Sequence, residues 1–366
     1  MWLGILSGLY GVPALLGLLL SVWQTARALR RQRFLRALGW LAAAVLILTG
    51  RNWVRLLRPP AADEPEPLVP NKRGTATGHG GVQLEWEQFG PDDAPALLLS
   101  HGWSLSHETW YYQKKALSNE FRVVVWDLRG TDRSQAPADR DYSMAAMTAD
   151  LAAVFDAVNA GRHPDGCVLA GHSVGAMLLP LFASQYPALM ASVRGLALLG
   201  GTDSPMLETM RGRRVLAPLR LLFWEPLAHL MALVPGPFEW FVKLITHMGC
   251  VHLALMFGTN RGRDSRGQND LVARHCAEFS MRAASLGALS CFAYDARALL
   301  PAIAVPTLIL TGARDSNMPP ETQRAMASRL PNCELVLIEN CGHLGLLECH
   351  REVSAHLRDF ARRCLE

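Results

Sequence analysis

At 366 residues the chain has room for one large α/β core with appendages. Half of its residues are hydrophobic, and the mean hydropathy is slightly positive, more apolar than a freely soluble enzyme requires. The net charge of +4 is carried before Gly74, where ten Lys and Arg face three acids, so the rest is acidic by three; this excludes a basic nucleic-acid-binding face on the folded part.

Trp2 to Val22 contains no charged residue and matches the roughly 20 residues a helix needs to span a bilayer core, with Trp2 and Trp23 at its ends where amphipathic rings settle. No basic residue precedes it, as a cleaved signal peptide would require, so a retained transmembrane helix is expected. Gln24 to Arg36 carries five arginines and no acid, which assigns it to the cytoplasmic side. A second apolar run, Ala37 to Gly50, has two placements. It either crosses, putting the folded domain on the far side, or lies in the interface with Arg51, Arg55 and Arg58 snorkelling, keeping that domain cytoplasmic. Residues 1–58 thus read as a membrane anchor of one or two hydrophobic helices. Pro59, Pro60, Pro65, Pro67 and Pro70 make residues 59–79 a semi-rigid linker, with the globular domain starting at Gly80.

Val82, Leu84 and Trp86 alternate with polar residues as in a half-buried strand. Ala96–Ser100 and Arg122–Trp126 are short apolar runs, and further runs end at Gly171, Gly200, Gly312 and Glu339. Apolarity on both faces suits central parallel strands. Helical patterns over Met144–Val158, Glu321–Leu330 and Leu346–Phe360 alternate with them, which implies a mostly parallel, doubly wound α/β sheet. The exception is 204–298, a helical stretch rich in large apolar residues, expected as a cap inserted between core segments 80–203 and 299–366. Glu239, Lys243 and His247 interrupt its most apolar part and argue against a third membrane span.

Gly171-His172-Ser173-Val174-Gly175 joins an apolar strand to a helix-like stretch, a tight turn that thrusts the Ser173 hydroxyl outward. A serine needs a base, and His343, in the loop after the last strand, is the candidate; the imidazole in turn needs an acid. Asp315 follows the strand from Thr307 and completes the order Ser, Asp, His, while Asp203, also just past a strand, is its rival. The oxyanion donors are expected to be the backbone N–H groups of Trp103, after His101-Gly102, and Val174. His101 itself reads as a loop-shaping residue. Eight cysteines lack the paired spacing of zinc sites or a small disulfide framework, and His247 and His252 lack further partners for a metal, so no cofactor is expected.

His101-Gly102-Trp103, Asp127-Leu128-Arg129-Gly130, Gly171 to Gly175, Gly312 to Asp315 and Gly342-His343 together resemble the α/β-hydrolase family in its lid-bearing branch of esterases, lipases and haloperoxidase-like enzymes. The chain departs from that pattern at Thr131-Asp132, where the family often has His-Gly. Serine at position 173 argues against the related epoxide hydrolases and haloalkane dehalogenases, which use aspartate there. The resemblance implies a serine hydrolase acting on a carboxylic ester, and the apolar cap and anchor point to a hydrophobic or lipid-like substrate and to membrane lipid as a partner. Acyl transfer or carbon–carbon bond cleavage on the same triad, and a non-catalytic membrane scaffold, are the alternatives.

Overall fold

The computed structural model describes residues 2–259 and 263–366, which fall into two compact units. One comprises the chain up to Glu64 with Gly236–Glu278, the other Pro65–Pro235 with Phe279–Glu366. The expected cap is therefore shared: its middle belongs with the N-terminal segment, its two ends with the catalytic core.

In the first unit the helix Trp2–Arg30 turns at Gln32, in the left-handed region at φ +54°, into the helix Phe34–Leu48. The N-terminal helix has the reverse of a soluble helix's polarity. Ser7, Gly11, Leu18, Ser21 and Ala28 form its buried stripe, while Leu9, Leu16 and Leu19 are more than half exposed. The Ser21 and Thr25 hydroxyls donate to the carbonyls of Gly17 and Ser21 four residues back, so they need no water. From Ser7 to Arg30 this helix is long and apolar enough to cross a membrane.

The second unit is built on one eight-stranded sheet: β1 Lys72–Thr77, β2 Gln83–Phe89, β3 Ala96–Ser100, β4 Arg122–Trp126, β5 Cys167–His172, β6 Val193–Leu199, β7 Thr307–Gly312 and β8 Cys333–Ile338. The order is β1-β2-β4-β3-β5-β6-β7-β8. β1 and β2 run antiparallel to their neighbours and the rest are parallel. β3, β4, β5 and β7 are buried along their whole length, as their unbroken apolar runs require.

The start at Gly80 needs correction, because β1 lies within the segment expected to be linker. Lys-Arg-Gly-Thr-Ala-Thr has almost no apolar alternation and buries only Ala76; an edge strand is held mainly by its main-chain ladder to β2. Gly74 is needed there because a Cβ would stand 2.7 Å from the Trp86 ring. Beyond β8 the expected helix is two helices, Gly345–Glu348 and His350–Leu365, broken at Cys349 (φ −124°, ψ 31°). Between β6 and β7 the described helices include Glu225–Leu233, Pro235–His247, Arg266–Glu278 and Met281–Ala293.

Candidate active site

Ser173 sits between β5 and the helix Val174–Gln185 with φ +53° and ψ −117°, a strained conformation for a non-glycine residue. Its flanking glycines make the turn possible. A Cβ on Gly171 would lie 2.3 Å from the Gly175 backbone, and one on Gly175 would lie 2.3 Å from the Ser100 carbonyl oxygen. The Ser173 N–H donates to the Leu199 carbonyl at 2.8 Å, fixing the turn to β6.

Three loops at the carboxyl ends of their strands bring the candidate residues together. His343 Nε2 is 3.2 Å from Ser173 Oγ, and His343 Nδ1 is 2.7 Å from Asp315 Oδ2. Asp315 Oδ1 accepts from the N–H groups of Asn317 and Met318 at 2.7 and 2.9 Å, which orients the carboxylate. Asp203 is engaged elsewhere: its Oδ2 accepts from Arg329 Nη1 at 2.8 Å and its Oδ1 from the Ser204 hydroxyl at 2.7 Å. Gly200, at φ +55°, leaves room for the His343–Asp315 pair, since a Cβ there would lie 3.3 Å from both Asp315 Oδ2 and His343 Nδ1.

Val174 opens its helix, so its N–H is one of the four amides without an intrahelical acceptor. The loop carrying Trp103 lies against the same serine: a Cβ on Gly102 would be 3.1 Å from Ser173 Cβ. His101 is fully buried; its Nε2 accepts from the Leu128 N–H at 3.0 Å and its Nδ1 donates to the Gly102 carbonyl at 2.7 Å, so the ring shapes this loop. The Trp103 side chain packs edge-on to Tyr142 and Phe279 and donates through Nε1 to the Ala284 carbonyl at 3.3 Å. Gly287 receives it, because a Cβ there would come within 2.1 Å of the indole.

Sequence reasoning missed two residues that hold His343. His172 Nε2 donates to the His343 carbonyl at 2.9 Å, and Glu348 Oε1 accepts from the Gly342 N–H at 2.9 Å. Burial, reinforced by the neighbouring His343, lowers His172 to about 3 and keeps it neutral. Its place beside Ser173 was visible in the sequence; its partner, 171 residues away, was not.

The departure from the family pattern at Thr131-Asp132 lies in a loop fixed by charge. Arg129 pairs with Asp150 at 2.6 Å with both side chains fully buried, and Ser134 donates to the Asp127 carbonyl at 2.6 Å. Donor atoms of His107, Asp127 and Asp132 lie within 4.8 Å of one another, close enough for a cation, but Arg133, paired with Glu87 at 2.8 Å and facing Asp132 at 3.8 Å, already supplies positive charge. His252 is buried and pairs with Asp270 at 3.0 Å, whereas His247 is exposed.

A family model described as "Alpha/beta hydrolase family" matches residues 97–356. The chain belongs to this family. The hydrolase is 30% identical over 283 residues to "Putative carbamate hydrolase RutD" from Variovorax paradoxus, covering 77% of this chain and 97% of the relative. Among solved structures it is similar to a thermophilic esterase from Thermogutta terrifontis (26% identity, TM-score 0.66), covering 81% of this hydrolase and 100% of the esterase. It also shares its fold with a structure titled as a membrane phospholipase A (21% identity, TM-score 0.62), covering 90% of this chain and 97% of that one.

Proposed function

We propose that this hydrolase is a membrane-anchored serine esterase acting on a hydrophobic or lipid-like carboxylic ester. The observation that carries the reading is the continuous chain from Ser173 through His343 to Asp315, at 3.2 and 2.7 Å, with all three residues buried. Ser173 Oγ attacks the ester carbonyl as its proton passes to His343 Nε2. Asp315, accepting from His343 Nδ1–H, fixes the tautomer and stabilises the imidazolium. The N–H groups of Trp103 and Val174 take the oxyanion. His343 then protonates the leaving alcohol and activates the water that hydrolyses the acyl-enzyme. The 26% identical esterase supports ester chemistry, and the inverted polarity of the N-terminal helix supports the anchor.

The 30% identical relative supports a second reading, in which the same triad cleaves a carbamate. Fluorophosphonate labelling of wild type and Ser173→Ala, followed by product analysis on esters graded in acyl length and on a matched carbamate, tests both. Labelling of wild type alone with preference for long acyl esters is the expected result. Equal labelling of a folded Ser173→Ala protein overturns the triad, and faster carbamate turnover favours the second reading.

A further inference from the structure

The first compact unit joins two stretches of chain some two hundred residues apart, and their packing has the character of a membrane protein. Both apolar helix pairs in it are sharply bent. Phe34–Leu48 turns by 67° into Gly50–Leu57, and Pro235–His247 turns by 77° into Cys250–Thr259; each pair is together apolar enough for a membrane. The bends meet backbone to backbone. A Cβ on Gly50 would stand 2.2 Å from the Met248 carbonyl oxygen, and one on Gly249, at φ +77°, would stand 3.0 Å from the Gly50 carbonyl carbon. Gly11 of the N-terminal helix is also close to the second pair, 2.7 Å from Ile245 Cγ2 to the position of an added Cβ. Small residues at the contact and large ones outside are how helices pack in lipid, where apolar burial supplies no drive.

Beyond the bends, charged side chains pair with one another. Arg55 meets Asp270 at 2.7 Å, His252 meets the same carboxylate at 3.0 Å, and Arg58 meets the buried Asp264 at 3.1 Å. Pro235–His247 turns Trp240, 63% exposed, outward with Lys243, and Phe257 lies 59% exposed past the second bend. An aromatic ring with a lysine beside it on one helical face is an interfacial pattern, the ring at the acyl–headgroup boundary and the amine reaching phosphate.

We propose that residues 235–259 are seated in the bilayer interface against the N-terminal helix, so that the cap is held to the membrane by a second segment besides the N-terminal anchor. This rests on the anchor reading above. It also deepens the substrate assignment, because the segment is inserted between Glu225–Leu233 and Met281–Ala293. Those helices are joined by Arg282 Nε donating to the Ala232 carbonyl at 3.0 Å, and the second of them receives the Trp103 ring. An ester that resides in the bilayer is the substrate class this favours.

The test places an environment-sensitive fluorescent amino acid at Leu16, Trp240, Phe257 or Glu334 in the full chain. Each protein is reconstituted in phosphatidylcholine–phosphatidylglycerol vesicles carrying doxyl-labelled lipid, with fluorophosphonate labelling as the check on folding. Quenching at 240 and 257 within about two-fold of that at 16, with 334 quenched only by aqueous iodide, is expected for an interfacial segment. Lipid quenching at 16 but not at 240 and 257 overturns the proposal and leaves the anchor standing. Loss of lipid quenching at all of them overturns both. Shielding of 240 and 257 from lipid and iodide alike means that protein covers them, which also defeats the proposal.

Discussion

Asp315→Asn is the substitution that most directly probes the active-site chemistry. Asp315 Oδ1 receives two main-chain N–H groups while Oδ2 faces His343 Nδ1 at 2.7 Å. An asparagine keeps its carbonyl oxygen where those two donors are and turns its NH2 toward the imidazole. Nδ1 must then accept, so the proton moves to Nε2, and the ring can no longer take the Ser173 proton. Loss of tautomer control in a triad of this geometry costs about 10⁴-fold in kcat, equivalent to ~5.4 kcal/mol of transition-state stabilisation. The fold should be little affected because the two main-chain donors keep their acceptor. Asp203→Asn weakens an ion pair to Arg329, whose side chain is 37% exposed, and its cost should fall on stability, at about 1 kcal/mol, with kcat nearly unchanged. Steady-state hydrolysis of a chromogenic ester, with Tm for each variant, separates the two. A larger loss of kcat in Asp203→Asn than in Asp315→Asn would refute the reasoning.

Gly287→Ala drives a methyl into the Trp103 indole, and an overpacked contact of this kind costs about 1–3 kcal/mol; both the ester chain-length preference and kcat should change, measured on a graded ester series. Arg129→Ala leaves the Asp150 carboxylate buried without its partner and should lower unfolding free energy by about 3–5 kcal/mol in urea titrations. The buried His172 stays neutral in the fold down to about pH 3, whereas in the unfolded chain it takes a proton near its ordinary value of 6.5. Its contribution therefore destabilises the fold progressively as pH falls from 6.5 toward 3, and stability rises with pH across that window. His172→Asn, which keeps a donor for the His343 carbonyl, should flatten that slope when urea midpoints are compared at pH 5 and pH 7.5; an unchanged slope would contradict a buried neutral imidazole.

Where the fold rests on local signals, the sequence was readable. Unbroken apolar runs marked β3, β4, β5 and β7, and a turn that only glycine at 171 and 175 can close marked Ser173. Strand β1 escaped because an edge strand can be polar along its length, its stability coming from main-chain bonds that any residue but proline supplies. The break at Cys349 escaped because the apolar periodicity runs through it. His172 and Glu348 were unassignable for another reason: each acts on the His343 loop through one hydrogen bond to its backbone, and such bonds leave no spacing rule in the sequence. The meeting of Gly50 with Met248 is the extreme case, since nothing near either residue signals a neighbour so far along the chain.

Trp103 ties two properties together that most enzymes can vary separately. Its amide is the proposed oxyanion donor, and its indole is keyed into a glycine notch on a cap helix. A displacement of that helix would be felt at the amide through a single residue. Transplanting a foreign cap onto this core would therefore exchange not only which substrates are admitted but also how well the transition state is held, and a matching change at 103 would have to accompany the graft.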